Sequence, residues 1–278
     1  MKELLLIILL LSASAFPSLS RADLDLDQEV LVIPDTHNEK PYIWNVRRDP
    51  GGYDLTMENK SLQTGTARFL FDIKGASSSG TGEMHVFITD EDLHTFVHIR
   101  PVKTSEGRYS FNFDPSASGR YRFEIVFKTA DGWINLRKNI KLQKSEAKPE
   151  KTGMPGDEDY EVKVKLYPHK LYSKHVSTFL YQIGYKGKPL KDIEKIEGSD
   201  MQVAAWDEDL KEFIYMTPQQ NLGGPEVGVS MVFMRPGRHA VFAEFIHNGI
   251  VRRIDFVVNV NEEIDPKRTS LPYLGPSE

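Results

Sequence analysis

The sequence of 278 residues contains no cysteine, and this absence removes several classes of protein. Disulfide bonds, thiolate metal sites, cysteine nucleophiles and lipid attachment through cysteine are all excluded. Enzyme signatures are also missing, since the chain has no Gly-x-Ser-x-Gly elbow and no His-Glu-x-x-His motif. The glycine-rich segment at 75–82 lacks the Gly-Lys-Ser/Thr of a phosphate-binding loop, so we interpret it as a hairpin loop. We therefore predict that the protein is not an enzyme.

The sequence also lacks a basic face of the kind that nucleic-acid binding requires. The formal net charge is −5 and the charges are interspersed, so no nucleic-acid partner is predicted. Hydrophobic residues make up 40% of the chain and aromatic residues 10%, enough for one large core or two ordinary ones.

Only one stretch is strongly apolar, and it lies at the start of the chain. Lys2 precedes the apolar run 4–11, and small residues follow up to Ala22. This pattern is typical of a secretory signal peptide with cleavage after Ala22, the alternative being Ala15. The run is shorter than the ~20 apolar residues that a bilayer span needs. We expect an exported protein, periplasmic or secreted, with no membrane span in the mature chain.

An internal repeat organises the rest of the sequence. The tetrapeptide DEDL occurs at 90–93 and again at 207–210, which is 117 residues later. Around it, MHVFITDEDLHTFVHIRP (84–101) matches MQVAAWDEDLKEFIYMTP (201–218). Two copies of one strand–turn–strand unit predict two copies of one domain.

Each repeat contains about seven short segments that are rich in Phe, Tyr, Val and Ile and alternate with a period of two. This pattern predicts an all-β protein with two tandem immunoglobulin-like β-sandwich domains. The predicted organisation is a signal peptide (1–22), an N-terminal arm (23–52), a first sandwich (53–143), a linker (144–159), a second sandwich (160–261) and a C-terminal tail (262–278).

The first copy of the repeat contains the candidate metal ligands. A four-residue turn at 90–93 would pair Thr89 with His94 and His85 with His98. Directly opposed side chains lie ~5 Å apart at Cβ, so two imidazoles could share one metal ion. The alternative is that His85 and His98 only pair with each other across the sheet or form hydrogen bonds with the N-terminal arm. His94 is too far along the hairpin to join them.

The same alternation places aromatic side chains on the outer face of each hairpin, opposite an apolar core face. This predicted interaction face consists of Phe87, Phe96, Trp206, Phe213 and Tyr215. Aromatic stripes of this size are rarely left bare on a monomer, so we expect Tyr42 and Trp44 of the arm to cover one of them. In the second repeat Gln202 and Tyr215 replace the two histidines, so no metal site is predicted there.

The hairpin of the first repeat resembles YtkA-like secreted bacterial domains. Those domains have a histidine after an apolar strand start, an acidic-Asp-Leu turn and a Phe-x-His-x-His-Pro segment. The residues that match this pattern are His85, Asp92, Leu93, Phe96, His98 and Pro101. The resemblance implies an immunoglobulin-like sandwich of a kind often found beside copper or other heavy-metal handling. Arg100 departs from the pattern, because it stands where the second histidine of His-x-His-Pro is expected.

Two functional hypotheses follow. The first is an exported, non-enzymatic binding protein whose two sandwiches contact a protein or cell-surface partner. The alternative is a periplasmic protein that binds copper or another heavy metal through His85 and His98. No cofactor is predicted under the first hypothesis, and copper is predicted under the second.

Overall fold

The structure is a computed structural model that describes residues 23–25, 46–48, 52–60, 67–75, 83–115, 118–129, 132–142 and 157–262. The predicted signal peptide, His37, Tyr42 and Trp44 of the arm, and the tail beyond Glu262 lie outside these residues. Within them the chain is almost entirely β-strand, with a single 3₁₀ turn at Asp157–Asp159. No helix of this described part is long and apolar enough to cross a membrane.

The chain divides into two compact units, and the division falls between Gly153 and Met154. Each unit has its own hydrophobic core, one built from residues between Phe69 and Leu142 and the other from residues between Tyr160 and Val260. The prediction of two tandem immunoglobulin-like sandwiches is therefore confirmed.

The first unit is built from two sheets. Its strands are β2 (Val46–Arg48), β3 (Asp54–Lys60), β4 (Ala67–Lys74), β5 (Met84–Asp90), β6 (Phe96–Ile99), β7 (Val102–Ser105), β8 (Arg108–Phe113), β9 (Gly119–Thr129) and β10 (Gly132–Leu142). One sheet has the order β2-β10-β9-β5-β6 and the other the order β3-β4-β8-β7. The sequence did not predict β7, because all four of its residues are exposed and carry no alternating apolar signal.

The second unit repeats this topology. Its strands are β1 (Asp23–Asp25), β11 (Tyr160–Tyr167), β12 (Leu171–Tyr172), β13 (Val176–Tyr185), β14 (Lys188–Pro189), β15 (Gln202–Asp207), β16 (Phe213–Met216), β17 (Glu226–Val232), β18 (Gly237–His247) and β19 (Ile250–Asn261). The order β19-β18-β15-β16 corresponds to β10-β9-β5-β6, and β11-β13-β17 corresponds to β3-β4-β8. From the predicted arm, β1 adds to the edge of β11 in parallel, whereas β2 joins β10 of the first unit.

Period-two alternation decides which side chains enter each core. Along β11 the residues are alternately buried and exposed, so Val162 and Val164 face inward while Lys163 faces solvent. In the first unit the rings of Phe69 and Phe111 stack at 5.0 Å between centroids inside the core. Fully burying one such side chain stabilises the fold by about 1.5–3 kcal/mol.

The repeated DEDL is a turn that closes on its own first residue. In the first unit, Asp90 Oδ1 accepts the backbone N–H groups of His94 at 2.8 Å and Thr95 at 3.1 Å. Leu93 donates its N–H to the Asp90 carbonyl at 3.3 Å and has a positive φ of 58°. The carboxylate thus replaces the strand partners that these backbone groups lose in the turn.

The second copy of the turn has the same geometry. Asp207 Oδ1 accepts the N–H groups of Lys211 at 2.6 Å and Glu212 at 2.7 Å, and Leu210 has a φ of 55°. The two hairpins also share one register, since Phe87 faces His98 while the equivalent Ala204 faces Tyr215. This agreement shows that the sequence repeat is a structural repeat.

The predicted hairpin pairing is wrong by two residues. The structure pairs Thr89 with Phe96 and Phe87 with His98, not Thr89 with His94 and His85 with His98. The turn takes up residues 90–95 because Asp90 binds the backbone of His94 and Thr95 and holds both outside the ladder. A shift of two residues leaves every side chain on its original face, so the predicted face assignment still holds.

Candidate functional site

The two predicted metal ligands meet despite the shifted register. His85 Nδ1 lies 2.9 Å from His98 Nε2, and the two ring centroids are 5.1 Å apart. They are diagonal neighbours on one face of the hairpin, and such neighbours remain within reach of ring-bearing side chains. His85 is fully buried and His98 is half-buried.

Aromatic rings and one carboxylate surround this histidine pair. The ring of Phe87 stacks on His98 at 4.4 Å with an interplanar angle of 15°, and Trp133 lies 5.7 Å from the ring of His85. Glu83 Oε1 is 3.5 Å from His85 Nε2. A proton on Nε2, facing Glu83, leaves the Nδ1 lone pair directed at His98. This is the arrangement in which a carboxylate orients a metal-binding imidazole.

Arg100 lies beside this pair on the exposed side. The hairpin ladder ends with Val86 opposite Ile99, so its continuation places Arg100 opposite His85. Arg100 is exposed, and its fixed charge opposes the entry of a cation.

A buried ionic cluster, which the sequence did not reveal, continues from the histidines across the sheet. Glu124 is opposite Phe87 and fully buried. Its carboxylate accepts hydrogen bonds from Arg137 Nε at 2.8 Å and Asn135 Nδ2 at 2.9 Å, and Arg122 Nη1 lies 3.8 Å away. Charged residues alternating with apolar ones along β9 resemble an ordinary solvent face, so the sequence alone gave no signal of burial.

The five residues of the predicted interaction face lie opposite their cores, but most are not accessible. Four are buried, with exposed fractions of 1% for Phe87, 5% for Phe96, 0% for Trp206 and 4% for Tyr215. Phe213 is half-buried. These side chains therefore do not offer an open surface, and an external partner would have to contact other parts of the molecule.

The second unit fills the position of the histidine pair with uncharged polar residues. Gln202 stands in place of His85 and donates from Nε2 to Glu197 Oε2 at 2.7 Å. Tyr215 stands in place of His98 and is buried. On the neighbouring strands, Arg253 Nη2 donates to Glu244 Oε1 at 3.0 Å.

A second ionic cluster lies at the turn end of the second unit. Asp207 Oδ2 accepts from Arg235 Nε at 2.8 Å, and Glu212 Oε2 lies 3.1 Å from His239 Nε2. Glu212 also accepts the backbone N–H groups of Met234 and Arg235. His239 is fully buried and hydrogen-bonded within its own unit.

Two further contacts of titratable groups lie in the second unit. His247 Nδ1 lies 2.5 Å from the buried hydroxyl of Tyr160. On the exposed turn, the Lys211 ammonium, with a smaller contribution from Arg235, lowers the pKa of Asp209 below its ordinary value. Lys211 Nζ is 2.8 Å from Asp209 Oδ2.

One family model matches part of the chain. Residues 156–262 match the family described as a domain of unknown function, DUF8832. No curated protein matches the chain. The matched residues coincide with the second unit, so the family match does not extend to the histidine pair.

Several solved structures are similar to this chain. The chicken interferon gamma receptor alpha chain is 13% identical with a TM-score of 0.24, over 75% of this chain and 98% of that one. A two-domain fibronectin type III segment of chicken tenascin is 11% identical with a TM-score of 0.24, over 74% and 98%. The Escherichia coli adhesin FdeC is 11% identical with a TM-score of 0.25, over 76% of this chain and 65% of that one. At these identities the likeness concerns the fold alone.

Proposed function

We propose that this protein is an exported binding protein whose two β-sandwiches form a scaffold for contacts with a protein or cell-surface partner. The observation that supports this proposal best is what the two repeats share. Asp90 and Asp207 close the same turn in both, whereas His85 and His98 have no histidine counterpart in the second unit. The repeats thus have the scaffold in common and not a set of reactive side chains.

Three buried titratable groups that form hydrogen bonds or ion pairs within the fold also support a binding role. Glu124, Glu212 and His239 are buried, and each is held in hydrogen bonds or ion pairs within its own unit. Buried charges of this kind fix neighbouring strands to one another. Because these groups are occupied by contacts within the fold, we expect the function to lie at the surface.

The surface presents a few large apolar side chains, and one of them is held firmly. Leu222 has an exposed fraction of 71% and sits between Asn221 and Gly223. Both neighbours are bonded to the buried Asp200, at 2.7 Å and 2.8 Å. A side chain on a fixed loop loses little conformational entropy on binding, so it suits a contact residue.

Site-specific photo-crosslinking in the cell envelope tests this proposal. A photoreactive residue would replace Val102, Leu222, Met234 or Val257, which are exposed apolar positions, with the exposed polar Lys170 as the control. We expect one discrete adduct at one or two of the apolar positions and none at Lys170. A complete scan without a position-dependent adduct would contradict a binding function.

Export is a separate part of the proposal. The apolar run 4–11 and the small residues before Asp23 support cleavage after Ala22. N-terminal sequencing of the protein from the periplasm or medium should begin at Asp23. Recovery of cell-associated protein with Met1 intact would contradict export.

A second candidate function, copper binding, is favoured by the geometry of the histidine pair. Two nitrogens bound at about 2.0–2.1 Å on adjacent corners of a square-planar ion lie about 2.9 Å apart. His85 Nδ1 and His98 Nε2 are 2.9 Å apart. The affinity order of divalent ions places copper first for nitrogen ligands. The fixed positive charge of Arg100 beside the two imidazoles supports only modest affinity.

Calorimetric titration of the full chain with copper tests this second function. His85→Ala with His98→Ala should abolish binding, whereas His94→Ala, on the same hairpin but exposed, should leave it unchanged. Copper binding that persists in the double variant would show that the metal binds elsewhere in the protein.

A further inference from the structure

Strand β17 of the second unit has one open edge. It pairs with β13 and with no other described strand, whereas the equivalent strand β8 is paired on both sides, by β4 and β7. The equivalence is fixed by register, since Phe69 faces Phe111 and the corresponding Phe179 faces Val229. Within residues 157–262, the second unit therefore has no counterpart of the strand that closes this edge in the first.

The side chain of Gln219 shows which backbone groups of β17 face away from β13. Ser230 donates its N–H to Gln219 Oε1 at 3.1 Å, and Gln219 Nε2 donates to the Ser230 carbonyl at 3.4 Å. Backbone groups of alternate residues in a strand point the same way. The N–H and C=O groups of Gly228 and Glu226 therefore also point outward, along the part of the edge that Gln219 does not cover.

The chain is held away from this edge by Asp200. In the first unit Pro101 leads directly into β7, but after the equivalent Pro218 the chain leaves the sheet. The Asp200 carboxylate accepts the N–H of Gly223 at 2.8 Å, and Asp200 donates its own N–H to Asn221 Oδ1 at 2.7 Å. Asp200 is 1% exposed, so the loop is tied to a buried anchor.

Space for an occupant exists along the open part of the edge. Glu226 is exposed and Gly228 is half-exposed, and a Cβ added at Gly228 would meet no atom within 4 Å. A cavity of about 310 Å³ adjoins Glu226 on the outer face of the sheet, with Gln182 and Lys188 in its lining. An incoming strand could place one outward side chain in this cavity.

We propose that the edge of β17 at Glu226–Gly228 binds an extended peptide segment of a partner protein as an added antiparallel strand. Strand β7 shows the geometry, because it pairs antiparallel with β8 through Val102 opposite Ser110 and Lys103 opposite Tyr109. Ser110 corresponds to Gly228. Main-chain hydrogen bonds supply affinity in such strand addition, and side-chain pockets supply specificity. This inference rests on the proposed binding function and names its class of partner.

A second copy of this chain fits the edge less well than a peptide does. A two-fold pairing of β17 with itself about Gly228 would set Glu226 of each copy against Ser230 of the other. The outward groups of Ser230 already bind Gln219, which would have to leave in both copies. A peptide that pairs only from Gly228 to Glu226 requires no such displacement.

The test uses a synthetic peptide with residues 100–106 of this chain, which include the strand that fills the equivalent edge. Binding to the full chain is followed by amide chemical shifts and hydrogen exchange at millimolar peptide. We expect shifts at Glu226 and Gly228 and slower exchange of the Gly228 amide. Gly228→Ala keeps the outward N–H and should bind within about threefold of the original chain, whereas Gly228→Pro removes it and should bind at least tenfold more weakly.

Two versions of the peptide, N-methylated at alternate residues, test the same edge without changing the protein. One version should bind and the other should not, because alternate peptide N–H groups face β17. The proposal is overturned by undisturbed amides at Glu226 and Gly228, by equal binding to the Ala and Pro variants, or by equal behaviour of the two methylated peptides. If the full chain forms a dimer and Gly228→Pro converts it to a monomer, the occupant of this edge is a second copy of the chain and the proposal is overturned. If a photo-crosslink forms at Val257 but the peptide has no effect, the proposed binding function stands and only the assignment of the β17 edge as a binding site is rejected.

Discussion

The two units use one aspartate turn in different surroundings. In the first unit the Asp90 carboxylate accepts three hydrogen bonds from His94 and Thr95, and it is half-buried. In the second unit Asp207 is buried and also holds Arg235. The feature that both units keep is the one that fixes the backbone. The partners of the carboxylate differ, which shows that the turn needs an acceptor at this position but not a particular neighbour.

Separating the units should have the largest effect on this comparison. Each core cluster takes all its members from one unit, so cleavage between Glu150 and Gly156 should yield two fragments that each unfold cooperatively, although the edge strand β1 then belongs to the first fragment. Thermal unfolding of each fragment, followed by circular dichroism against the uncut chain, measures this. If neither fragment melts cooperatively, the units depend on each other and cannot be compared as separate folds.

Removing the turn carboxylate should have the next largest effect, and it should be unequal. Asp207→Ala leaves the backbone N–H groups of Lys211 and Glu212 without their acceptor and removes one ion-pair partner of Arg235, and should lower the free energy of unfolding of its unit by about 3 kcal/mol. Asp90→Ala, at a more solvated turn, should cost about 1–2 kcal/mol. Denaturant unfolding of the full chain, with hydrogen exchange to assign each transition, gives both values.

Asparagine at the same positions provides the control. It keeps an oxygen that accepts the backbone N–H groups but removes the negative charge. Asp90→Asn and Asp207→Asn should therefore both be milder than the alanine variants, and Asp207→Asn should keep only the added cost of the lost pair with the part-exposed Arg235. If Asp90→Ala destabilised its unit more than Asp207→Ala does, burial would not be what distinguishes the two turns.

The sequence predicted the features that depend on local pattern. Alternation predicts strands at Tyr160–Tyr167, Val176–Tyr185 and Gly237–His247, and these are the observed bounds of β11, β13 and β18. The hairpin register was missed because it depends on the side-chain bonds of Asp90, which draw His94 and Thr95 into the turn. Composition gives no sign of such a contact.

Burial of the outer faces could not be predicted from the pattern either. Strand β5 is buried on both faces, so His85 and Phe87 are as inaccessible as Val86 and Ile88. Alternation identifies two faces but does not indicate which of them solvent reaches. The histidine pair was nevertheless predicted, because a two-residue shift kept both side chains on one face.

Replacing Arg100 by histidine should increase the difference in metal binding between the two units. Arg100→His removes a positive charge and adds an imidazole opposite His85, so copper affinity should rise about tenfold, or 1.4 kcal/mol. Calorimetric titration measures it, with Arg100→Ala as the control that removes the charge alone. If Arg100→His left the copper affinity unchanged, the result would show that copper does not bind at this hairpin.

The same chemistry can be transferred to the second unit. Gln202 and Tyr215 occupy the positions of the two histidines in the same register, and Glu197 already contacts Gln202. In a chain without His85 and His98, the pair Gln202→His and Tyr215→His should create copper binding that the single substitutions lack. If the double variant binds no copper, the shared register is insufficient for the site.

The smallest expected effect concerns the exposed end of the turn in the second unit. Lys211 lies beside Asp209, and its hydrogen bond is the main cause of the lowered pKa of that carboxyl, with Arg235 contributing least. Lys211→Ala should raise the Asp209 pKa toward its ordinary value near 3.9. A lowered pKa favours the charged carboxylate, so the interaction is present at neutral pH and lost as the pH falls through the folded-state pKa.

The first unit has His94 in the place of Lys211, so it lacks this permanent cation. Titration of the Asp209 carboxyl by NMR measures the change, and a larger rise in Arg235→Ala than in Lys211→Ala would reverse the assigned cause.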